Sequence, residues 1–464
     1  MDNRGQYLFQ EKLTNIIHDV TEDQLNKLRE EYLKEVRENH KVTNMSYAGE
    51  NYYGRYDSPV AVNRECLYRD QKTDGMKIQY PHGVVLQQAK FRNYYRGEPQ
   101  IYTKSQPTLL RKLEAYTDKE DKELYRMVAN MRIAEFAALL RKFEHVRQWN
   151  VSDIQYEALA QHYGLETDWL DITTDFDVAM FFATCWWDKE EKRWKPLTKD
   201  QTESSEETKY GMIFHMPSWY MSQRWCFEIE KFADISKGVP DNLIYPIGFQ
   251  PFMRCSMQNG YGIYMQESKP LQKDIGFEKL RFRHDEKFSI QIFERMKGGE
   301  LIYPHEGLNE VEFLIDQIKS LTDFSEESFL YALQRSHMFR LKDKELCRQK
   351  LEAFYVDRKK ITIKPSNVWH ISRDRRRMID DDYSGFDVEK FYNIHIRGRK
   401  ICGPEGETVG PNMYEPYMLS NNDSTENPGI LDFKPRNMTG EMNMWMLRRM
   451  QLLQTLVTKN ARDF

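Results

Sequence analysis

Most of the signatures that would tie a chain to a known chemistry are missing from this 464-residue sequence. Its six cysteines (Cys66, Cys185, Cys226, Cys255, Cys347 and Cys402) lie far apart and form no Cys-x-x-Cys pair. That spacing argues against a zinc knuckle or a disulfide framework and fits reduced thiols. No apolar run approaches the roughly 18 residues needed to span a bilayer; "VAMFFATCWW" stops at ten. The first residues, "MDNRGQYLFQEK", lack the apolar core of a signal peptide, so the expectation is a cytoplasmic protein with no membrane partner. A net charge of −4 excludes a body that binds polyanions over its whole surface, while leaving room for a local basic groove. There is no His-Glu-x-x-His, no Gly-x-Ser-x-Gly and no Gly-x-Gly-x-x-Gly after a strand, and "CGPEGETVGP" lacks the Gly-Lys-Ser/Thr ending of a phosphate loop. The eleven histidines are scattered, so no metal-ligand set stands out and none is assigned.

What is present is an ordinary globular balance, 40 % hydrophobic and 30 % charged, in a chain long enough for two or three units. Residues 1–42 read as helix, with Thr21 and Gln24 as a capping box and Leu25, Leu28, Tyr32 and Val36 at helical spacing. "YAGENYYGRYDSP" marks residues 43–83 as loop or linker, whose tyrosines either pack on their own domain or stack on bases. Strand texture follows from His82 through "GVVLQQAKFRNYYRGEP". A long helix is predicted from Lys119 to Trp149, with Leu124, Met127, Met131, Phe136, Leu140 and Phe143 near one face. Ser152 and Gln155 are candidate caps for "DIQYEALAQHY", which Gly164 would end in a left-handed conformation. "LETDWLDI" reads as extended, and Thr174 as the cap of an all-round apolar helix, "DFDVAMFFATCWW", with a buried strand as the alternative. "YGMIFHM" is a strand, and "EKLRFRHDEKFSIQIFERMKGG" a strand and then a helix closed by Gly298 and Gly299. Beyond Pro304 the pattern turns helical as far as "KDKELCRQKLEAFYVDRKK", followed by "RDRRRMIDDD" as a solvated loop. A last amphipathic helix, "TGEMNMWMLRRMQLLQTLV", packs on its own domain or holds a partner.

These elements predict an α/β protein of the α+β type: a central, mainly antiparallel sheet with surrounding helices. Residues 1–83 would be a helical extension and loop, 84–325 the central domain and 326–464 a largely helical region.

The chemistry concentrates in two places. "QHYGLETDWLDITTDFDVAMFFATCWW", residues 161 to 187, sets carboxylates and threonines directly beside the most apolar segment of the chain. Asp175 and Asp177 would fall in a first helical turn, where the dipole favours anions. Asp168 and Asp171 are spaced to face opposite sides of a strand, which speaks against a catalytic carboxylate pair. In "FRNYYRGEPQ", Arg96 ends an aromatic strand just before a turn. A guanidinium cannot deprotonate, so it needs either a carboxylate (Asp171 or Asp175) or a ligand anion gripped by its planar fork. Gly97 would let a backbone or ligand come close.

Three blocks resemble the FRG-domain family, named for a Phe-Arg-Gly run. "YRGEPQ" followed by "SQPTLLRK" is similar to the family's early strand. "ALAQHYGLETDWLDITTDFDVAMFFATC" is similar to its Gln-His-Tyr-Gly-Leu-Pro-Thr-Arg-Leu-Leu-Asp-Trp-Thr segment, and "RCSMQNGYGIY" to its Arg-x-x-x-Gln-x-Gly block. "LIYPHEGL" matches the Phe-Pro-Asp-Leu ending more loosely. Together they span residues 84 to 305. Tyr95 replaces the name-giving Phe, Glu98 a frequent Gln, Glu166 a Pro and Asp168 an Arg; the last change removes a positive charge beside the proposed site. The resemblance implies a bacterial or phage-related conflict setting, and its layout is similar, as a pattern, to an ADP-ribosyltransferase. On that reading Arg96 holds the diphosphate or ribose of NAD as substrate, no cofactor being permanently bound, and Thr173 and Thr174 add hydroxyl contacts. Tyr163 stacks on nicotinamide, with His162, Asp171 and Arg254 lining the same cavity. Gln258, with Glu98 as the nearest carboxylate, supports an oxocarbenium-like state. Two alternatives stay open: the same residues form one buried network that holds the fold, or the protein is a non-catalytic sensor whose helices bind a protein or nucleic acid.

Overall fold

The computed structural model describes residues 15–45, 93–147, 149, 154–217, 244–265, 269–367 and 369–383, with the strand backbones Leu67–Tyr68, Gly75–Tyr80, Gly83–Gln88, Ile401–Cys402 and Thr408–Val409. Seven strands make the central sheet: β1 (Ile17–Val20), β2 (Tyr94–Glu98), β3 (Trp169–Thr173), β4 (Tyr210–Met216), β5 (Ile244–Pro246), β6 (Gly260–Tyr264) and β7 (Glu278–Arg283). Their order is β1-β7-β4-β2-β3-β6-β5, antiparallel throughout except for the β1–β7 pair. Helices surround the sheet, so the mixed α/β architecture expected from the patterning is the one observed.

Alternation along β2 decides what lies where. Tyr95 and Gly97 face one side, and Tyr94, Arg96 and Glu98 the other. The Tyr95 side is covered by α1 (Glu22–Met45), α4 (Phe176–Thr184) and α6 (Glu286–Arg295), numbered with α2 (Lys119–Leu140), α3 (Tyr156–His162) and α5 (Arg254–Met257) in chain order. Leu25, Leu28, Tyr32, Phe176, Ala179, Ile213, Leu280 and Phe288 form one core with Tyr95 there. Because α4 is apolar on nearly every side it lies sandwiched: Ala179, Phe181 and Ala183 are each 0 % exposed. Its cap is Asp175, which accepts from the backbone N–H of Asp177 (2.9 Å) and Val178 (3.3 Å), and not Thr174. Thr174 is still held by the sheet's end, its N–H donating to Asn259 O at 3.3 Å. Asp177 sits in the first turn, as a carboxylate should. It receives Arg29 (2.5 and 2.7 Å) and Arg295 (3.2 Å), which fastens α1 and α6 to α4.

The expected capping box at Thr21 and Gln24 is present, with donor–acceptor distances of 2.8 and 3.3 Å. It starts α1 at Glu22, and the residues just before it, Ile17–Val20, are the edge strand β1 and not helix, because β7 offers them a parallel partner. In the segment read as linker, Leu67–Tyr68 and Gly75–Tyr80 are strands, and with Gly83–Gln88, a strand as expected, they pair as a three-stranded antiparallel sheet. Gly164 ends α3 with φ +82°, and Gln155 stands at the N-cap as expected but makes no side-chain cap bond, its N–H donating to Gln250 Oε1 (2.9 Å); Ser152 lies outside the described residues. The long helical pattern breaks at Leu140 and resumes as a single turn at Glu144–Arg147.

Past the sheet, α7 (Glu326–Arg335) packs Phe329, Ala332 and Leu333 along Met127 and Met131 of α2. The helix Lys344–Ala353 stops short of the predicted Lys360, and Tyr355–Val356 with Lys359–Lys360 form a hairpin instead. "RDRRRMIDDD" is a helix, α8 (Arg373–Asp382), where a loop was expected. Its two halves do face each other, Arg376 with Asp380 (4.0 Å) and Arg377 with Asp381 (3.6 Å), but its aspartates have a second task. Asp380 and Asp382 accept the N–H groups that open two other helical turns, those of Glu144 (2.8 Å) and Gly307 (2.7 Å). The last amphipathic segment lies outside the described residues. Among those described, no helix is long and apolar enough to cross a membrane.

Candidate functional site

Strands β2 and β3 share one register position, Tyr95 opposite Thr173, and then part. Arg96 fills the gap. Its Nη1 donates to Asp171 O at 2.7 Å and its Nε to Glu98 Oε1 at 2.8 Å, while Ser105 Oγ donates to the other Glu98 oxygen at 2.5 Å. The guanidinium thus has a carboxylate partner, but it is Glu98 from the same strand face and not Asp171 or Asp175. Gly97 serves packing: a Cβ there would lie 1.7 Å from Ala179 O, so β2 meets α4 backbone to backbone.

Asp171 joins this corner to a second group. Its carbonyl holds Arg96, while its side chain points to the other face of β3, where α3 and α5 end. Asp171 Oδ2 lies 3.4 Å from Gln161 Nε2, and Oδ1 lies 3.7 Å from His162 Nε2, beyond hydrogen-bond reach. The Asp171 side chain is 34 % exposed and that of His162 2 %, so the carboxylate is the open edge of the cluster. Gly260 makes room for the imidazole: a Cβ would sit 3.3 Å from His162 Nε2 and 2.9 Å from Cys255 O. Arg254, the first residue of α5, donates Nη1 to His162 O (2.9 Å) and lies between the rings of Tyr163 (4.2 Å) and Tyr303 (5.0 Å). Gln258 Nε2 donates to Ile302 O (3.1 Å), drawing the segment with Tyr303 inward, and Thr173 Oγ1 donates to Gln258 O (2.7 Å) while accepting Asp175 N–H (2.9 Å).

Burial sets the electrostatics. It holds the His162 imidazole below its ordinary pKa, against the pull of Asp171 and with Arg254 adding to the depression, so the ring is neutral near pH 7. Burial likewise raises the Tyr163, Tyr303 and Cys255 groups, which keeps the Cys255 thiol from serving as a nucleophile. Behind the cluster, Glu306 accepts from Tyr163 OH (2.7 Å), Tyr383 OH (2.6 Å) and Met253 N–H (2.9 Å) and so locks the loop that carries Arg254.

Of the residues singled out from sequence, His162, Tyr163, Asp171, Thr173, Arg254 and Gln258 come together here. Arg96 and Glu98 reach the cluster only through the Asp171 backbone, and Thr174 is buried beside it. Several groups are already engaged internally. The Tyr163 ring has Arg254 on one side and Phe136 on the other (6.0 Å), Thr173's hydroxyl is used twice, and both Glu98 oxygens are taken. Asp168 does not border the cluster; it pairs with Arg126 of α2 at 2.5 Å. Gln161, Tyr303 and Glu306 were missed. The last two stand in "LIYPHEGL", whose only sequence signal was a loose ending.

Two buried nitrogens in the cluster, His162 Nε2 and Arg254 Nε, have no hydrogen-bond partner among the described residues. An unmet buried polar group costs about 1–3 kcal/mol, so the fold sustains an expense at this spot that a ligand accepting from Arg254 Nε and pairing with His162 Nε2 would relieve. No group of three potential metal ligands occurs among the described residues. The chemistry on offer is therefore a cation, a neutral imidazole and a part-exposed carboxylate side by side. No curated protein and no solved structure matches the chain. Residues 92–192, from the strand of Arg96 to the hairpin after α4, match the FRG domain; Arg254, Gln258 and Tyr303 complete the cluster from beyond that stretch. The chain carries an FRG domain at residues 92–192.

Proposed function

We propose that the cluster around Asp171 takes a nucleotide and that this protein acts on NAD at the bond between ribose and nicotinamide, as an effector in bacterial or phage conflict. The observation that carries the reading is the unpaired couple His162 Nε2 and Arg254 Nε beside the half-open carboxylate of Asp171. A carboxylate accepts from ribose hydroxyls, a guanidinium from Arg pairs with phosphate oxygens, and both ligand groups occur in one nucleotide. Glycosidic cleavage passes through an oxocarbenium-like state that needs a nearby negative charge. Glu98 is spent on Arg96 and Ser105, so Asp171 takes that role. The C1′–N bond breaks, nicotinamide leaves with the bonding pair, and a water oxygen bonds to C1′ while its proton passes to neutral His162. The conflict setting rests on the family resemblance alone.

The test is incubation of the full chain with NAD, following nicotinamide release, and equilibrium binding of ADP-ribose. Wild type is expected to release nicotinamide, Asp171→Asn to bind ADP-ribose without turnover, and Arg254→Ala to lose binding. Absence of both binding and release in wild type, or equal release by both variants, removes the proposal.

A further inference from the structure

Away from the cluster, the hairpin Tyr355–Val356/Lys359–Lys360 carries an unusual turn. Asp357 and Arg358 have φ +50° and +65°, the mirror-image turn that two-residue hairpins favour, built here without glycine. Val356 (2 % exposed) and Ile361 (0 %) anchor its base in the core with Phe324 and Leu351, so the tip is held out from the body. Arg358, Lys359 and Lys360 are all exposed, and none has a carboxylate partner among the described residues. The flanking cations behave differently: Lys344 and Arg348 pair with Glu326, Lys350 with Glu120 and Lys364 with Asp323. Tyr355, directly across from Lys360, is 59 % exposed. Cross-strand neighbours share a sheet face at about 5 Å, so ring and ammonium are presented together. The ring does not belong to the aromatic packing beneath it, which is made by Phe354, Tyr116 and Tyr125.

We propose that this hairpin is a docking surface for single-stranded nucleic acid, in which Arg358 and Lys360 meet neighbouring phosphates and Tyr355 stacks on a base, while Lys359, on the opposite face with Val356, adds positive charge. Unpaired cations suit any polyanion. The exposed ring beside them favours a strand whose bases are free to stack over an acidic polypeptide, which has nothing flat to offer it. The surface is independent of the Asp171 cluster and stands or falls without it.

The experiment is fluorescence anisotropy of a labelled oligothymidylate with the full chain across a salt series. Wild type should bind with a log–log salt slope that becomes shallower by about 1.4 or more in Arg358→Ala/Lys359→Ala/Lys360→Ala, at least two phosphate contacts being lost. Tyr355→Ala should bind roughly five- to a hundredfold more weakly, whereas Tyr355→Phe retains affinity. All four positions are exposed, and a thermal melt confirms that each variant is folded; Lys359→Glu alone serves as a second, milder charge variant and should weaken binding. The inference is overturned if wild type does not bind at low salt, if the triple variant keeps the wild-type slope, or if poly-glutamate competes as well as the oligonucleotide while Tyr355→Ala is without effect.

Discussion

Restoring arginine at position 168, where the resemblance leads one to look for it, should unfold much of this protein. Asp168 Oδ1 lies 2.5 Å from Arg126 Nη1, and the two side chains are 9 % and 11 % exposed. Removing one partner of a buried pair leaves the other charge uncompensated and costs about 3–5 kcal/mol. Asp168→Arg goes further, since it sets two guanidinium groups against each other. At about 4 Å and an effective dielectric of about 20 that repulsion adds roughly 4 kcal/mol. The total, about 7–9 kcal/mol, is comparable with the whole stability of a typical domain, about 5–15 kcal/mol. Urea unfolding of the full chain and soluble yield are the assays. Asp168→Asn should lose only the first part, and the exchange Arg126→Asp/Asp168→Arg should recover a large share of the deficit. If Asp168→Arg unfolds within about 1 kcal/mol of wild type, the buried pair is not what joins α2 to β3, and the account of the departures from the family pattern fails.

Two further outcomes follow from the packing. Gly97→Ala would place a methyl 1.7 Å from Ala179 O, so α4 must move off β2; the expected loss is at or above the roughly 3 kcal/mol upper end for overpacking, read as a drop in the urea midpoint, and an unchanged midpoint would refute backbone contact there. Burial holds the His284 imidazole below its ordinary value of 6.5, against the hydrogen bond to Pro99 O (2.9 Å). The folded state therefore binds fewer protons than the unfolded state, and this contribution is fully present above pH 6.5 and lost as pH falls through the lower folded value. His284→Gln keeps a donor for Pro99 O and cannot titrate, so its melting temperature should fall less than that of wild type between pH 7.5 and 5.5. Parallel losses in the two proteins would contradict the assignment. His145 and His162 share the sign but remain in both, so they cancel in the comparison.

Local signals were read well where the local chain decides the outcome. Leu124, Met127, Met131, Phe136 and Leu140 recur at helical spacing and are all buried in α2. The Thr21–Gln24 box and the left-handed Gly164 involve only neighbouring backbone groups, and both appear as expected. The failures share a different cause. Thr174 and Asp175 are equally good caps in isolation, and only the end of β3 decides between them. "RDRRRMIDDD" reads as a loop because the N–H groups that two of its aspartates bind belong to residues more than seventy positions away in one case and over two hundred in the other. Ile17–Val20 continued a helical pattern until β7 supplied a partner.

The candidate site divides the same way. Its corner of Asp171, Thr173 and the His162–Tyr163 pair was legible because α3, β3 and α4 follow one another with little between them, so the turn residues and the apolar run mark the place on their own. Which carboxylate Arg96 would hold, that Gly97 would lie against Ala179, and that Tyr303 and Glu306 would close around Arg254 were decided only by tertiary structure. A guanidinium states its need for an anion in any sequence. The choice among several acidic side chains depends on where strands separate and helices end, and periodicity carries no record of that.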